Sequence, residues 1–411
     1  MLQIDHVYEF LYQSLFKDFD FWYCRNGVVK ASNIDVSDIC IFTKGPSTTS
    51  KIFFYDQEPL LPLLAKPYLD IFDWEKNYTI DEITELNRLN QIPFGMPSTS
   101  QINVDFLRAN PDCVYKQPVL VTSEYSVDAD NYPATKLYYF FHGFAALDWY
   151  RGFYALNYNK PVIRDYSYDY ITFNRIVSND RSYRCYFVSK LVEHGLLAHG
   201  QVSFGVTDEM FDEWQDETAD PNSKLSDHAK QHIETHLINV DKLVIDNASL
   251  PGSASADIPR CTNDSFWHIV TETVFYYPKL HLTEKIFKPI VSKQPFMLLA
   301  GPGNLAYLKW YGFKTFDGII DESYDSLIDD DARIDAVVDQ LNWYCKLSAE
   351  EKQKIIQKIE PIVEYNFHHF YGEFKHIIAR ELLDNTKNLF SELEYDDSKI
   401  DYQSIFKVLV N

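Results

Sequence analysis

Glu284 and Lys285 stand side by side directly behind Thr283. Threonine is a preferred N-cap, so the three residues predict a helix start whose first turn carries a carboxylate and an ammonium. A carboxylate can accept hydrogen bonds from both hydroxyls of a ribose, and an ammonium at a helix N-terminus can neutralise a diphosphate. The helix predicted over 283–292 leads into an apolar run at 296–300 and a turn at Gly301, Pro302 and Gly303. That is the pattern of a buried parallel strand and its exit. The chemistry on offer is the holding of a sugar-nucleotide.

Other cations join this run. Arg175 directly follows a strand predicted over 170–173, and Arg181 and Arg184 are spaced to share one helical face. Lys285, Lys288, Lys293, Lys309 and Lys314 form one cationic island, with Glu284 the single acid among them, and Arg175, Arg181, Arg184 and Lys190 form a second around Asp180. Basic islands in an acidic chain suggest a bound anion. Departure of a diphosphate needs its charge neutralised, by a divalent ion on an Asp-x-Asp motif or by fixed cations and a helix N-terminus. The triplets at Asp18 and Asp20 and at Asp128 and Asp130 do not end core strands. Fixed cations are therefore expected and no metal. Glu272, closing an apolar run, is a second carboxylate for the same pocket.

A glycosyl acceptor needs a base near its hydroxyl. Asp56 and Glu58 follow a strand predicted over 52–55, and His142 follows one over 137–141. All three types are unprotonated or titrate near neutral pH, so Glu58 and Asp56 lead and His142 comes third. Each candidate has a plainer reading. Glu284 can compensate a helix dipole, Arg181 and Arg184 can pair with surface carboxylates, and His142 can cap a turn.

The elements that must position these groups alternate in type. Strands at 39–43, 52–55, 119–122 and 137–141 predict one α/β unit with a parallel sheet. A second unit follows, with strands at 170–173, 201–204, 266–275, 296–300 and 314–320 and helices at 181–197, 283–292 and 304–311. The polar stretch 208–236 predicts a surface excursion with a helix at 228–236. Helices at 331–345, 349–364 and 370–383 come last. The boundaries expected are 1–165 for an acceptor-side domain, 166–345 for a nucleotide-sugar domain and 346–411 for C-terminal helices.

The chain has 411 residues, 46% apolar and 16% aromatic, more than one core usually serves. Its net charge of −22 opposes general attraction to nucleic acid or anionic lipid. The six cysteines form no CxxC pair, so neither a structural zinc site nor a disulfide framework is expected. The segment 1–17 is interrupted by Asp5, His6 and Glu9 and predicts an amphipathic helix in place of a signal peptide. No apolar run reaches membrane-spanning length, and a reduced, cytoplasmic setting is expected.

The Thr283, Glu284 and Lys285 triplet with its following strand resembles the donor motif of the α1,3-fucosyltransferase family, and Glu272 matches the acidic residue that precedes that motif. A longer pattern resembles a broader set of bacterial and bacteriophage glycosyltransferases. It takes in Asn174 and Arg175, Arg181 to Arg184, Gly195 to Leu197, Val202 to Phe204, Phe266 to Glu272 and the stretch 282–325. The resemblance covers 170–345 well and the first domain loosely. It implies a GT-B fold, two Rossmann-like domains facing across a cleft with C-terminal helices, and an inverting, metal-independent transfer. Glu284 would then contact ribose, Lys285 and Arg175 the diphosphate, and an acid after the 52–55 strand would be the base. The family's first-domain motif is not reproduced around Asp56 and Glu58.

The expected function is thus a glycosyltransferase using a nucleotide-sugar as co-substrate, with no other cofactor. Its acceptor is either a surface glycan or a hydroxymethylated pyrimidine in phage DNA. The competing expectation is a carbohydrate- or nucleotide-binding protein of the same fold without turnover.

Overall fold

The computed structural model describes residues 14–15, 21–25, 28–30, 39–41, 52–55, 119–123, 125, 136–139, 141, 143, 146–163, 165–205, 207–245, 263–276 and 278–411. Asp56, Glu58 and His142 lie outside them, as do Asp18, Asp20, Asp128, Asp130 and nearly all of the segment 1–17.

The chain divides into two compact units, one built on Gly143–Ile377 and the other combining the stretch His6–His142 with Ile378–Asn411. The second holds a sheet of β1 (Phe21–Arg25), β2 (Val28–Lys30), β3 (Ile39–Ile41), β4 (Ile52–Tyr55), β5 (Val119–Thr122) and β6 (Lys136–Tyr139). Its order is β2-β1-β3-β4-β5-β6, parallel throughout except for the β1-β2 hairpin. The apolar, β-branched and aromatic runs that predicted β3 to β6 are those of a parallel sheet, while β1 and β2 were not anticipated.

The unit Gly143–Ile377 begins with two short helices, α1 (Ala146–Trp149) and α2 (Phe153–Asn157), before β7 (Tyr168–Asn174). Then come α3 (Tyr183–Glu193), β8 (Gly200–Phe204), α4 (Asp208–Ala219) and α5 (Asp227–Leu237). The order continues with β9 (Ser265–Thr271), α6 (Glu284–Val291), β10 (Phe296–Leu299) and α7 (Asn304–Trp310). Two long helices, α8 (Asp330–Cys345) and α9 (Ala349–His369), complete it. A π-helical turn, Phe370–Phe374, where Gly372 leaves helical geometry, separates α9 from α10 (Lys375–Glu392), and α11 (Tyr402–Val410) ends the chain. Of the C-terminal helices, expected to pack back across the domains, α9 belongs to the first unit and most of α10 with α11 to the second.

The sheet of this unit is fully parallel, in the order β10-β9-β7-β8. Every residue of β9 is buried, as expected of a central strand covered on both faces. The crossover helices pack against different neighbours, α3 against α5 and α8, α6 against α2 and α9. Phe266, Trp267, Phe296, Phe316 and Tyr344 stack edge to face or in parallel. Phe287, Phe313, Phe370 and Phe374 form a second aromatic cluster. Such rings carry most of the apolar burial of a core and add specific pair geometry.

The structure departs from the sequence expectations in several places. The stretch 314–320 is not a strand but a turn with one isolated bridge, Asp317 to Ile320, and Gly318 at φ 78°. Side chains satisfy its backbone instead. Asn366 accepts from the Lys314 amide at 2.8 Å and donates to its carbonyl, while Glu322 accepts from the Phe316 amide at 2.6 Å. The polar stretch 208–236 makes two helices, each capped by a hydroxyl, Thr207 for α4 and Ser226 for α5. Helix α3 is shorter than the 181–197 expected, because Asn179–Arg181 forms a 3-10 turn and Gly195 ends the helix in the left-handed region at φ 66°. The run 270–275 leaves the sheet after Thr271, and α11 was not anticipated.

Candidate anion-binding site

Strand order places the site. β7 crosses over through α3 to β8 on one side, and β9 crosses over through α6 to β10 on the other. The chain therefore reverses direction between the adjacent strands β7 and β9, and beyond the C-terminal ends of such a pair an open α/β sheet leaves a crevice. A cleft of about 340 Å³ occupies that place. Its walls are Phe173 near the end of β7 with Arg175 and Ile176 beyond it, Val270 and Thr271 at the end of β9 with Thr273 beyond it, Arg181 in the 3-10 turn before α3, and Arg184 in the first turn of α3. Glu284, Lys285 and Lys288 of α6 close the other side, with Trp149, Met210 and His268 also lining it.

One buried residue ties the two helix starts together. Glu272, fully buried, accepts from the Thr283 hydroxyl at 2.5 Å and the Thr283 amide at 3.2 Å, and from the Thr273 amide at 3.3 Å. Its carbonyl oxygen accepts from the Tyr183 hydroxyl at 2.6 Å and from Arg184 Nη2 at 3.3 Å. Thr283 in turn caps α6, its hydroxyl accepting from the Lys285 amide at 3.3 Å. Glu272 and Thr283 therefore lie behind the cleft wall, and their role is to position α6 and α3.

Lys285 emerges from this frame. Its ammonium donates to Thr273 Oγ1 at 2.8 Å and Thr283 Oγ1 at 3.2 Å, and lies 3.3 Å from Glu284 Oε1. The adjacent carboxylate and ammonium that opened the sequence reading thus point into one cleft. The Glu284 carbonyl also accepts from the buried Tyr150 hydroxyl at 3.1 Å, which fixes the first turn of α6.

The arginines divide by role. Arg184, 4% exposed, donates to the carbonyls of Ile176 and Thr271, both at 2.8 Å, so its charge is buried in backbone contacts at the crevice floor. Arg175 and Arg181 are half-buried and line the mouth. Lys288, buried, lies 4.8 Å from the centre of the Phe173 ring.

The cationic islands of the sequence do not stay whole. Lys293 turns inward to Glu364 at 2.9 Å and to the Tyr158 carbonyl, and Lys309 pairs with Glu322 at 3.2 Å. Lys314 sits over the Tyr365 ring, and Lys190 pairs with Glu193 at 2.5 Å. The turn at Gly301 to Gly303 also belongs elsewhere. Gly303, at φ 84°, starts α7, and Asn304 holds the turn by donating to the Gly301 and Lys279 carbonyls.

Sequence reading placed Lys288 only in the cationic island and did not single out Thr273 or His268. Lys288 was legible as the residue one helical turn beyond Lys285, on the same face. Thr273 and His268 carried no signal, because their roles come from a strand and a helix meeting.

His268, 3% exposed, has its pKa pushed down to about 3 by burial and by the Lys288 ammonium. It forms a neutral wall of the cleft. The unfolded chain binds a proton on this ring below an ordinary histidine pKa of about 6.5, while the folded chain does so only below about 3. The ring's contribution to stability is therefore complete above pH ~6.5 and falls as pH drops from there toward 3. His268→Phe is expected to flatten that part of the stability curve, as measured by urea titration at stepped pH.

The described cleft collects five cations, one carboxylate and the start of α6 around a space fit for a phosphorylated ligand. Comparison of the chain with protein-family models, with curated proteins and with solved structures gives no match.

Proposed function

We propose that the chain is a nucleotide-sugar-dependent glycosyltransferase of GT-B type, and that the cleft between β7 and β9 is its donor site. The observation that carries this reading is the convergence of Glu284, Lys285, Arg175 and Arg181 at the reversal point of a parallel sheet. In this reading Glu284 accepts from the ribose hydroxyls. Lys285 and Arg175 bind the diphosphate and offset the charge that develops as the glycosidic bond breaks, which is electrostatic catalysis by preorganised groups. Arg181 adds charge at the mouth, and Arg184 holds the floor that carries them.

The sheet of β1 to β6 would be the second Rossmann-like domain and supply the acceptor side. The transfer would be inverting and independent of a metal at this cleft, with Glu58, Asp56 or His142 as the base. The acceptor would be a glycan or a hydroxymethylated pyrimidine.

A thermal-shift series tests the donor half of this reading. Nucleoside diphosphates and their sugars should raise the melting temperature, with the effect retained in EDTA, because a ligand that binds only the folded chain stabilises it. No shift with any nucleoside diphosphate would overturn the donor site. Binding without release of nucleoside diphosphate, with or without acceptors, would leave a binding protein in place of an enzyme.

A further inference from the structure

A second cluster lies at the far end of α3 from the cleft. Glu193, in the last turn of α3, faces His232 and His236 of α5, and the three offer one ligand atom each within 4.8 Å of one another. His232 and His236 are four apart on one helix, which places both rings on the same face, their centres 4.3 Å apart. Glu193 is open to solvent, His232 nearly buried and His236 half-buried.

Hydrogen bonding orients the His232 ring. The Ser189 hydroxyl donates its proton to the Tyr186 carbonyl at 2.7 Å, so toward His232 Nδ1, 2.9 Å away, it can only accept. Nδ1 therefore carries the hydrogen, and on the neutral ring the lone pair is at Nε2. Nε2 lies 3.2 Å from Glu193 Oε2, yet it has no aligned hydrogen-bond partner among the described residues. The ring nitrogen and the carboxylate oxygen thus converge on one point, as two ligands of a shared cation would.

The spacing suits a metal ion. Zinc binds nitrogen at about 2.0–2.1 Å and carboxylate oxygen at about 2.0–2.2 Å, so two ligands at a tetrahedral angle lie about 3.3–3.5 Å apart. A ligating histidine also usually donates its other N–H to a fixed acceptor, as Nδ1 does here to Ser189. Lys190 competes for the same carboxylate oxygen, but Asp335, 3.5 Å from its ammonium, offers it another partner.

We propose that Glu193, His232 Nε2 and His236 form a divalent transition-metal site of the zinc class, completed by water, which staples α5 to α3. The site is independent of the donor cleft. It joins the helix whose first turn carries Arg184, so it would stiffen the frame of that cleft without touching a ligand there.

The test is titration of Zn²⁺ alone into the full, untagged chain after chelator treatment, by calorimetry and by thermal shift, with Co²⁺ absorption as a coordination probe. Wild type should bind one equivalent here and gain melting temperature. His236→Ala and Glu193→Gln should each lower that affinity at least ~10-fold, the scale of losing even an outer partner of a metal ligand. His236 is half-exposed, so its loss leaves the fold intact. The Asp169, His199 and Cys345 group is another place where ligand atoms cluster. His199→Ala with Cys345→Ser should leave the first equivalent unchanged, as should Lys285→Ala. Absence of Zn²⁺ binding in wild type would overturn the site, as would wild-type affinity in His236→Ala or loss of the ion only in the His199 and Cys345 variant.

Discussion

Lys285→Ala is expected to weaken nucleoside diphosphate binding about 10- to 100-fold, the range for losing a charge-assisted hydrogen bond of about 1.5–3 kcal/mol. The lysine is already held over the cleft by Thr273 and Thr283, so little ordering cost opposes its contact with phosphate. The informative comparison is with Lys309→Ala and Lys314→Ala. Both lysines belong to the same stretch of sequence, but one pairs with Glu322 and the other covers Tyr365. They should bind within about twofold of wild type, since surface pairs contribute little. Calorimetric titration of a nucleoside diphosphate into the three variants decides the matter. Equal losses would mean that the cleft responds to overall charge, and no loss in Lys285→Ala would remove it from the site.

Glu272→Ala is expected to cost about 3 kcal/mol of stability and to abolish binding in the cleft. The substitution strands the Thr283 hydroxyl, the Thr283 amide and the Thr273 amide in a buried place, and each unsatisfied donor costs about 1–3 kcal/mol before relaxation. Glu272→Gln keeps one carbonyl oxygen as acceptor and should recover part of the loss. Urea denaturation measures the stability change. Full-strength ligand binding in a destabilised Glu272→Ala protein would show that α6 needs no anchor, against the positioning role. The effect on binding comes through α6, since the carboxylate itself lies behind the wall.

These two residues also show how unevenly the site could be read. Lys285 was legible because its chemistry is local: an N-cap, a first turn and an adjacent carboxylate are read within a few residues. Glu272 was read as a second pocket carboxylate or a plain loop carboxylate, and the ambiguity has a physical source. A carboxylate after a strand can face a ligand or face inward to cap a helix, and the difference depends on where the chain returns eleven residues later. Arg184 has the same ambiguity. Three-residue spacing from Arg181 predicted a shared face, but the helix begins after Arg181, and the carbonyls of Ile176 and Thr271 claim the Arg184 guanidinium.

Sequence alone determined most of the element types and which residues could do anion chemistry. Alternating apolar runs and polar helices specify an α/β chain, because the 2.0 and 3.6 periodicities are properties of the backbone. Hydroxyl caps and glycine stops marked helix ends for the same reason. Tertiary structure decided which cations meet. Of the lysines in one island, two face the cleft and the others find carboxylates or rings elsewhere, because strand order, not sequence distance, brings the ends of β7 and β9 together. It also decided that 314–320 turns instead of pairing, since Asn366 and Glu322, distant or nearby in the chain, take up its backbone hydrogen bonds. The pairing of Glu193 with His232 and His236 has the same origin: it arises from the packing of α3 against α5.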